Sequence, residues 1–233
     1  ILCSGGVVVP PPGYHARTLE LCRRHDILYV SDEVVTAFGR LGHWFASEEV
    51  FGIQPDFITC AKGLTSGYLP LGACLISDRV MERMTGPDHD VLFPNGYTYG
   101  GHPVSCAAAL ENIAIMEREG ILEHVRAVAP RFQARLARLL DSPIIGDARG
   151  MGLLGCVEGL TEAGRGTPLA VQRDLGARLD AACERRGLIV RPLINMCVFS
   201  PPLVISEAQI EEMFDILDDA VEEVAAEMVA EAG

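Results

Sequence analysis

The sequence predicts an α/β fold with a mostly parallel sheet, joined to a smaller α+β domain. Three observations carry this. Short, nearly continuous apolar runs alternate with stretches of helical periodicity, the pattern of strands buried between helices. Glycine and proline clusters punctuate the alternation, at Gly5-Gly6 and again at Pro10-Pro11-Pro12-Gly13. After Glu119-Gly120 the texture changes to amphipathic helices and short or glycine-rich strands. The expected division is therefore residues 1–117 in a larger domain and 118–233 in a smaller one.

In chain order, a helix is expected from Tyr14 to His25, with Leu19 and Leu21-Cys22 on its inner side. A strand follows at Ile27–Ser31, then a loop at Asp32 and a short helix near Ala46–Phe51. Strand Asp56–Cys60 leads to Lys62, and Gly72–Ser77 reads as another buried strand. A long helix runs from Pro103 to about Glu117; proline suits its first turn, where no N–H is needed. Ala107, Ala108 and Ala109 let it pack closely. Helix Ile121–Leu140 is basic and amphipathic, strand Gly152–Glu158 is glycine-rich, and a helix at Pro168–Arg186 is capped by Thr167. Strands Leu188–Arg191 and Met196–Ser200 come next. Ser206 and Gln209 form a capping box for the last helix, whose Ile210, Met213, Phe214, Leu217, Val221 and Val224 repeat at helical spacing.

Composition narrows the function classes. The chain has 233 residues, 49% of them hydrophobic, enough for one large or two ordinary cores. A formal charge of −13 gives a nucleic-acid role no electrostatic support. Much of the acid lies in the last helix, from Glu211 to Glu223, and reads as a solvated face. The eight cysteines are scattered singly, without a Cys-x-x-Cys pair, so free thiols in a reducing cytoplasm are expected and no metal site. No apolar run is long enough to span a membrane, and no basic-then-apolar leader points to export. The chain opens Ile1-Leu2-Cys3 without methionine, as a fragment would.

Two residues carry chemistry. Lys62 stands among apolar and small residues in Thr59-Cys60-Ala61-Lys62-Gly63-Leu64-Thr65-Ser66-Gly67. Desolvation there would favour the neutral amine, a better nucleophile toward an aldehyde. Asp32 ends the run Leu28-Tyr29-Val30-Ser31, where a carboxylate could keep a pyridine nitrogen protonated. Both are expected beyond the carboxyl ends of strands, where α/β sheets collect ligands. Jointly they match the lysine and pyridinium partner of a pyridoxal phosphate site. Taken singly, an Asp-Glu after a strand is also a helix cap and a Lys-Gly is also a turn.

Longer motifs occur in order: Asp32-Glu33-Val34-Val35-Thr36-Ala37-Phe38-Gly39-Arg40, Ala61-Lys62-Gly63-Leu64-Thr65-Ser66-Gly67 and Thr98-Tyr99-Gly100-Gly101-His102-Pro103. With Gly5-Gly6-Val7-Val8-Val9-Pro10 and Arg149-Gly150-Met151-Gly152-Leu153, they resemble the class III aminotransferases, the fold-type-I group that includes the omega-transaminases. The resemblance covers the whole chain but only about the C-terminal half of a complete member. It implies that residues 1–117 are the C-terminal part of a large pyridoxal phosphate-binding domain. It further implies that Asp32 binds the pyridine nitrogen, that Val34 packs on the ring, and that Lys62 holds the cofactor as an internal aldimine and then moves the proton. Thr98 would bind the phosphate of the cofactor in the partner subunit, making a homodimer with shared sites. Arg191 would reach a substrate carboxylate. The implied reaction moves an amino group from an amine donor to a keto acid such as pyruvate. An aminomutase of the same fold, or a catalytically incomplete piece with an assembly role, are the alternatives. Ala37 stands where glycine is common, and Ile194-Asn195 where a Gly-Asp turn is common. The second departure bears on where Arg191 points.

Overall fold

The computed structural model describes residues 1–85, 94–159 and 174–232. It divides into two compact units, Pro10–Leu122 on one side and Ile1–Val9 with Glu123–Gly233 on the other. The first contains α1 (Tyr14–Arg24), β1 (Val30–Asp32), α2 (Ala46–Glu49), β2 (Phe57–Cys60), a tight turn at Lys62–Thr65, β3 (Ala73–Ile76), α3 (Asp78–Thr85) and α4 (Pro103–Arg118). Its sheet runs β1-β2-β3. β1 and β2 are parallel, with Val30 opposite Phe57 and Asp32 opposite Thr59. β2 and β3 are antiparallel. The fold class is α/β with a mixed sheet.

The strands are not the buried runs expected. Val30 and Leu75 are exposed and α1 contributes no buried residue. The apolar residues buried in this unit sit mainly around the loops that leave the strands, including Ala37, Phe38, Leu41, Ala46, Ile53, Cys60 and Leu64. Below them lies a polar staple. The Asp56 side chain is fully buried and accepts bonds from Arg23 of α1 at 2.5 Å, Arg79 of α3 at 2.7 Å and the Tyr29 N–H at 2.7 Å. Burial alone would push its pKa up. The bonds from Arg23, Tyr29 and Arg79 outweigh that and hold it below the usual carboxylate range.

The second unit contains β4 (Ile145–Met151), β5 (Leu154–Gly159), α6 (Leu175–Glu184), β6 (Arg191–Leu193), β7 (Met196–Phe199) and α7 (Glu207–Ala232), with most of α5 (Ile121–Arg138). The sheet is antiparallel in the order β4-β5-β7-β6. Phe132 and Leu136 of α5, Leu154 and Val157 of β5, Leu179 of α6, and Phe214 and Leu217 of α7 make its core. Phe132 meets Phe214 edge-on, with ring centroids 5.3 Å apart. The capping box is formed: Ser206 N–H donates to Gln209 Oε1 at 3.0 Å and Gln209 N–H to Ser206 Oγ at 3.2 Å. The helix expected at Pro168–Arg186 begins outside the described residues, and α6 is its described part.

Two expectations change here. The opening residues 1–9 fold with the later unit: Arg149 Nε donates to the Gly6 carbonyl at 2.7 Å, and Leu2 and Val8 form a small antiparallel bridge. The acidic stripe of α7 is not merely solvated. Arg135 is 7% exposed and is held by Glu211, by Asp215 at 2.8 Å and by Asp218 at 3.1 Å, with its guanidinium over the Phe214 ring. Glu223 takes Arg185 and Arg186, which follow α6. Glu211, Asp215, Asp218 and Glu223 are counterions that bind α7 to α5 and to the end of α6.

Candidate active site

Asp32 and Lys62 leave the carboxyl ends of two hydrogen-bonded parallel strands. Asp32 is the last residue of β1, and its register partner Thr59 lies in β2, just ahead of Cys60, Ala61 and Lys62. The Asp32 carboxylate is exposed, and its Oδ1 accepts the Val34 N–H at 3.0 Å. That bond fixes the carboxylate's direction and leaves its other oxygen without a partner among the described residues. Val34 is half-buried beside it.

Lys62 opens a turn whose backbone is under constraint. Its φ is 36° and that of Ser66 is 51°, both in the left-handed region. Leu64 N–H donates to the Ala61 carbonyl at 2.9 Å, and Thr65 Oγ1 donates to the Leu69 carbonyl at 2.6 Å. The lysine borders a cavity of about 370 Å³ walled by Thr65, Tyr68, Leu69, Pro70 and Leu71. Its side chain is exposed. The expectation of a desolvated amine is thus corrected for this chain: its small and apolar neighbours flank the lysine without covering it.

The other candidates occupy different settings. Thr98 is exposed in a glycine-rich turn ahead of α4, where Gly100 N–H donates to the Tyr97 carbonyl at 2.8 Å. Arg191 begins β6 in the second unit, opposite Val198, and is exposed on a cavity of about 690 Å³ shared with Phe199, Pro201, Met213 and Ile216. It has no ion pair among the described residues. The two-residue turn after β6 places Ile194 at φ 54°, a conformation costly for a β-branched residue. Backbone bonds hold that turn, from Gly176 N–H to the Ile194 carbonyl at 3.1 Å and from Gly159 N–H to the Asn195 carbonyl at 2.9 Å. Asp32, Val34, Lys62 and Thr98 all belong to the first unit, where the β1–β2 register makes neighbours of the strands that carry Asp32 and Lys62; Arg191 belongs to the other unit.

Two residues escaped the sequence reading. Asn112 of α4 donates to the Gly63 and Leu64 carbonyls at 2.8 and 3.2 Å, pinning the Lys62 turn. Nothing in its helical setting singled it out. Glu33 is a buried carboxylate whose acceptors are filled by Thr36, Ala46 and Ser47. A signal for it existed: the helix at Ala46 starts after Phe45, which has no side chain able to cap it, so an acceptor must come from elsewhere.

Comparisons with known proteins identify the family. The family model for aminotransferase class-III matches residues 1–221. A probable gamma-aminobutyrate transaminase 3 from rice (Oryza sativa subsp. indica) is 37% identical, over 100% of this chain and 46% of that protein. A putrescine–pyruvate aminotransferase from Pseudomonas aeruginosa is 39% identical, over 97% of this chain and 49% of that protein. The solved structure of a PMP-bound aminotransferase from Vibrio fluvialis superposes with a TM-score of 0.85 at 37% identity, covering 96% of this chain and 50% of that one. The chain spans about half the length of the relatives it matches. The expected cytoplasmic location is overturned: the similar rice and tomato enzymes are named as mitochondrial or chloroplastic.

Proposed function

This chain belongs to the class-III aminotransferases, and from that premise we propose that it is the C-terminal half of an aminotransferase that uses pyridoxal phosphate. The enzyme moves an amino group from an amine or omega-amino acid to a keto acid such as pyruvate. One observation carries the reading: a carboxylate and a lysine leave the ends of adjacent parallel strands, in the family's motifs and order.

The residues present fit the cofactor. Asp32 offers an exposed, pre-oriented carboxylate oxygen, suited to a protonated ring nitrogen. Lys62 offers a primary amine that no described residue engages, beside a cavity with apolar walls. When bound, pyridoxal phosphate supplies the sink for the electrons released as a substrate Cα–H bond breaks. Lys62 Nζ would hold the cofactor, and the same amine would carry the proton from and to the substrate carbon. Asp32 would keep the ring nitrogen charged, and Val34 would support one ring face. Thr98 serves the phosphate held by a partner subunit, so the enzyme is a homodimer. Arg191 pairs the carboxylate of the acceptor through its bidentate fork. Pro10–Leu122 would complete the large domain, and Ile1–Val9 with Glu123–Gly233 would belong to the small one.

The names of the relatives narrow the donors. Gamma-aminobutyrate and putrescine both present a primary amine at the end of a short linear chain, and such donors are proposed here. The test is to mix the complete enzyme with pyridoxal phosphate, putrescine or gamma-aminobutyrate, and pyruvate, and to measure alanine. Alanine formed in proportion to donor consumed is expected. Enzyme that binds the cofactor but yields no alanine with any terminal amine would overturn the reading, and a mutase would behave in that way.

A further inference from the structure

We propose that Glu33 is the positioning residue of this site: its buried carboxylate holds the loop that aims Asp32 and walls the Lys62 turn. This rests on the reading of Asp32 and Lys62 given above.

Glu33 is 3% exposed, and no arginine or lysine pairs with it among the described residues. A buried carboxylate without a cation is tolerated only if donors fill its lone pairs. Four do. Ala46 N–H and Thr36 Oγ1 donate to Oε2 at 2.6 and 3.2 Å, while Ser47 N–H at 2.8 Å and Ser47 Oγ donate to Oε1. Thr36 and Ser47 are themselves buried, at 3% and 2% exposed. The loop after β1 is thereby tied to the segment at residues 46–47.

The backbone makes that tie act on Asp32. Glu33 N–H donates to the Thr59 carbonyl at 2.8 Å, which extends the β1–β2 pairing one residue past Asp32. Successive side chains of an extended chain point to opposite sides. Drawing Glu33 inward therefore turns Asp32 outward, where its carboxylate is exposed. The far end of the same loop reaches the lysine turn. Ala37 N–H donates to the Glu33 carbonyl at 3.0 Å. A Cβ placed on Gly63 would come within 2.8 Å of Phe38 Cβ and within 3.3 Å of the Ala37 and Phe38 carbonyls. Residues 37–38 are thus the wall against which the residue after Lys62 rests. One side chain touching neither cofactor nor substrate sets the aim of both groups that do.

Asp56 supplies the control, since among the described residues it is the other buried carboxylate of this unit but pairs with Arg23 of α1 and Arg79 of α3. In the complete enzyme, Glu33→Gln sets an NH2 group against backbone N–H donors and should loosen the loop. The dissociation constant for pyridoxal phosphate, measured by titrating the apoenzyme, should rise about tenfold or more. The visible absorption band of the bound cofactor should shift or broaden, and kcat should fall while KM for the keto acid holds. Ser47→Ala removes one hydroxyl and is compatible with folding, so it should show the same pattern more weakly; Glu33→Asp should recover part of the affinity lost in Glu33→Gln. Asp56→Asn should lower the melting temperature and leave the cofactor constant and spectrum unchanged. Cofactor binding unaltered in Glu33→Gln and Ser47→Ala overturns the proposal, as does an equal loss in Asp56→Asn at matched stability. Wild-type enzyme that binds no pyridoxal phosphate overturns the functional reading and this inference with it.

Discussion

Replacing Asp56 with asparagine should destabilise the first unit at neutral pH, and by an amount that shrinks as the solution is acidified. The carboxylate has no solvent exposure and holds Arg23, Arg79 and the Tyr29 N–H at 2.5, 2.7 and 2.7 Å. Asparagine keeps the shape and one acceptor but loses the charge. Two charge-assisted bonds at roughly 1.5–3 kcal/mol each set an upper bound. Both arginines are about a third exposed and can return to water, so a net cost of about 2–4 kcal/mol is expected. The sign of the pH effect follows from the lowered pKa. The unfolded carboxyl titrates near the ordinary value of about 3.9 and the folded one below it. The stability it contributes is therefore complete above that value and is lost as pH falls through the folded pKa. Thermal unfolding of wild type and Asp56→Asn, followed from pH 7 down to about pH 3, should give curves that converge in acid. A constant gap across that range would mean that the arginines find other partners and that the charge of Asp56 contributes nothing.

Three further outcomes are expected. Lys62→Ala in the complete enzyme should abolish transamination, because no other amine is placed at the end of β2; retention of even about a tenth of wild-type turnover would remove the assignment. Arg191→Ala should raise KM for the keto acid roughly ten- to hundredfold, the worth of one charged hydrogen-bonded pair. The half-reaction with a donor lacking a carboxylate should suffer much less, and equal loss in both would make Arg191 structural. Ile194→Gly should stabilise the second unit by roughly 0.5–1 kcal/mol, since relief of the left-handed strain exceeds the entropic cost of glycine. The residue is 59% exposed, so little burial is lost; a lower melting temperature would show that the turn is not strained.

The elements most legible in the sequence were those whose signals are local. Ser206 and Gln209 make the capping box they spell, and the apolar stripe from Ile210 to Val224 is the buried face of α7. β4 was missed because Ile145–Met151 carries glycines and charges where apolar alternation would mark a strand. It is defined instead by its pairing with β5, and Gln133 holds the turn between the two strands by donating to the Gly152 and Leu154 carbonyls at 2.8 and 3.1 Å. β3 read as buried from its apolar letters, yet Ala73, Cys74 and Leu75 are exposed at the sheet edge. Composition reports what can be buried; which elements cover a strand is a property of the assembled layers.

The site shows the same division between what is written locally and what is assembled. Asp32 and Lys62 could be found because each is a charged residue at the end of an apolar run, and register then makes neighbours of their strands. Glu33 shares the first of those positions and was passed over, since an acid beside an acid reads as more surface charge. Its meaning depends on partners at positions 36, 46 and 47, which approach it only when the loop closes. Asn112 likewise becomes informative when α4 lies against the turn after β2. Residues that carry the reaction must expose their functional groups and so stand out against apolar surroundings. Residues that aim them are satisfied and buried, and resemble any other hydrogen-bonded core residue until distances can be measured. On the roles proposed above, the two kinds alternate along one extended stretch, with Asp32 exposed and Glu33 buried, so the strand's two-residue period links the aiming group to the aimed one.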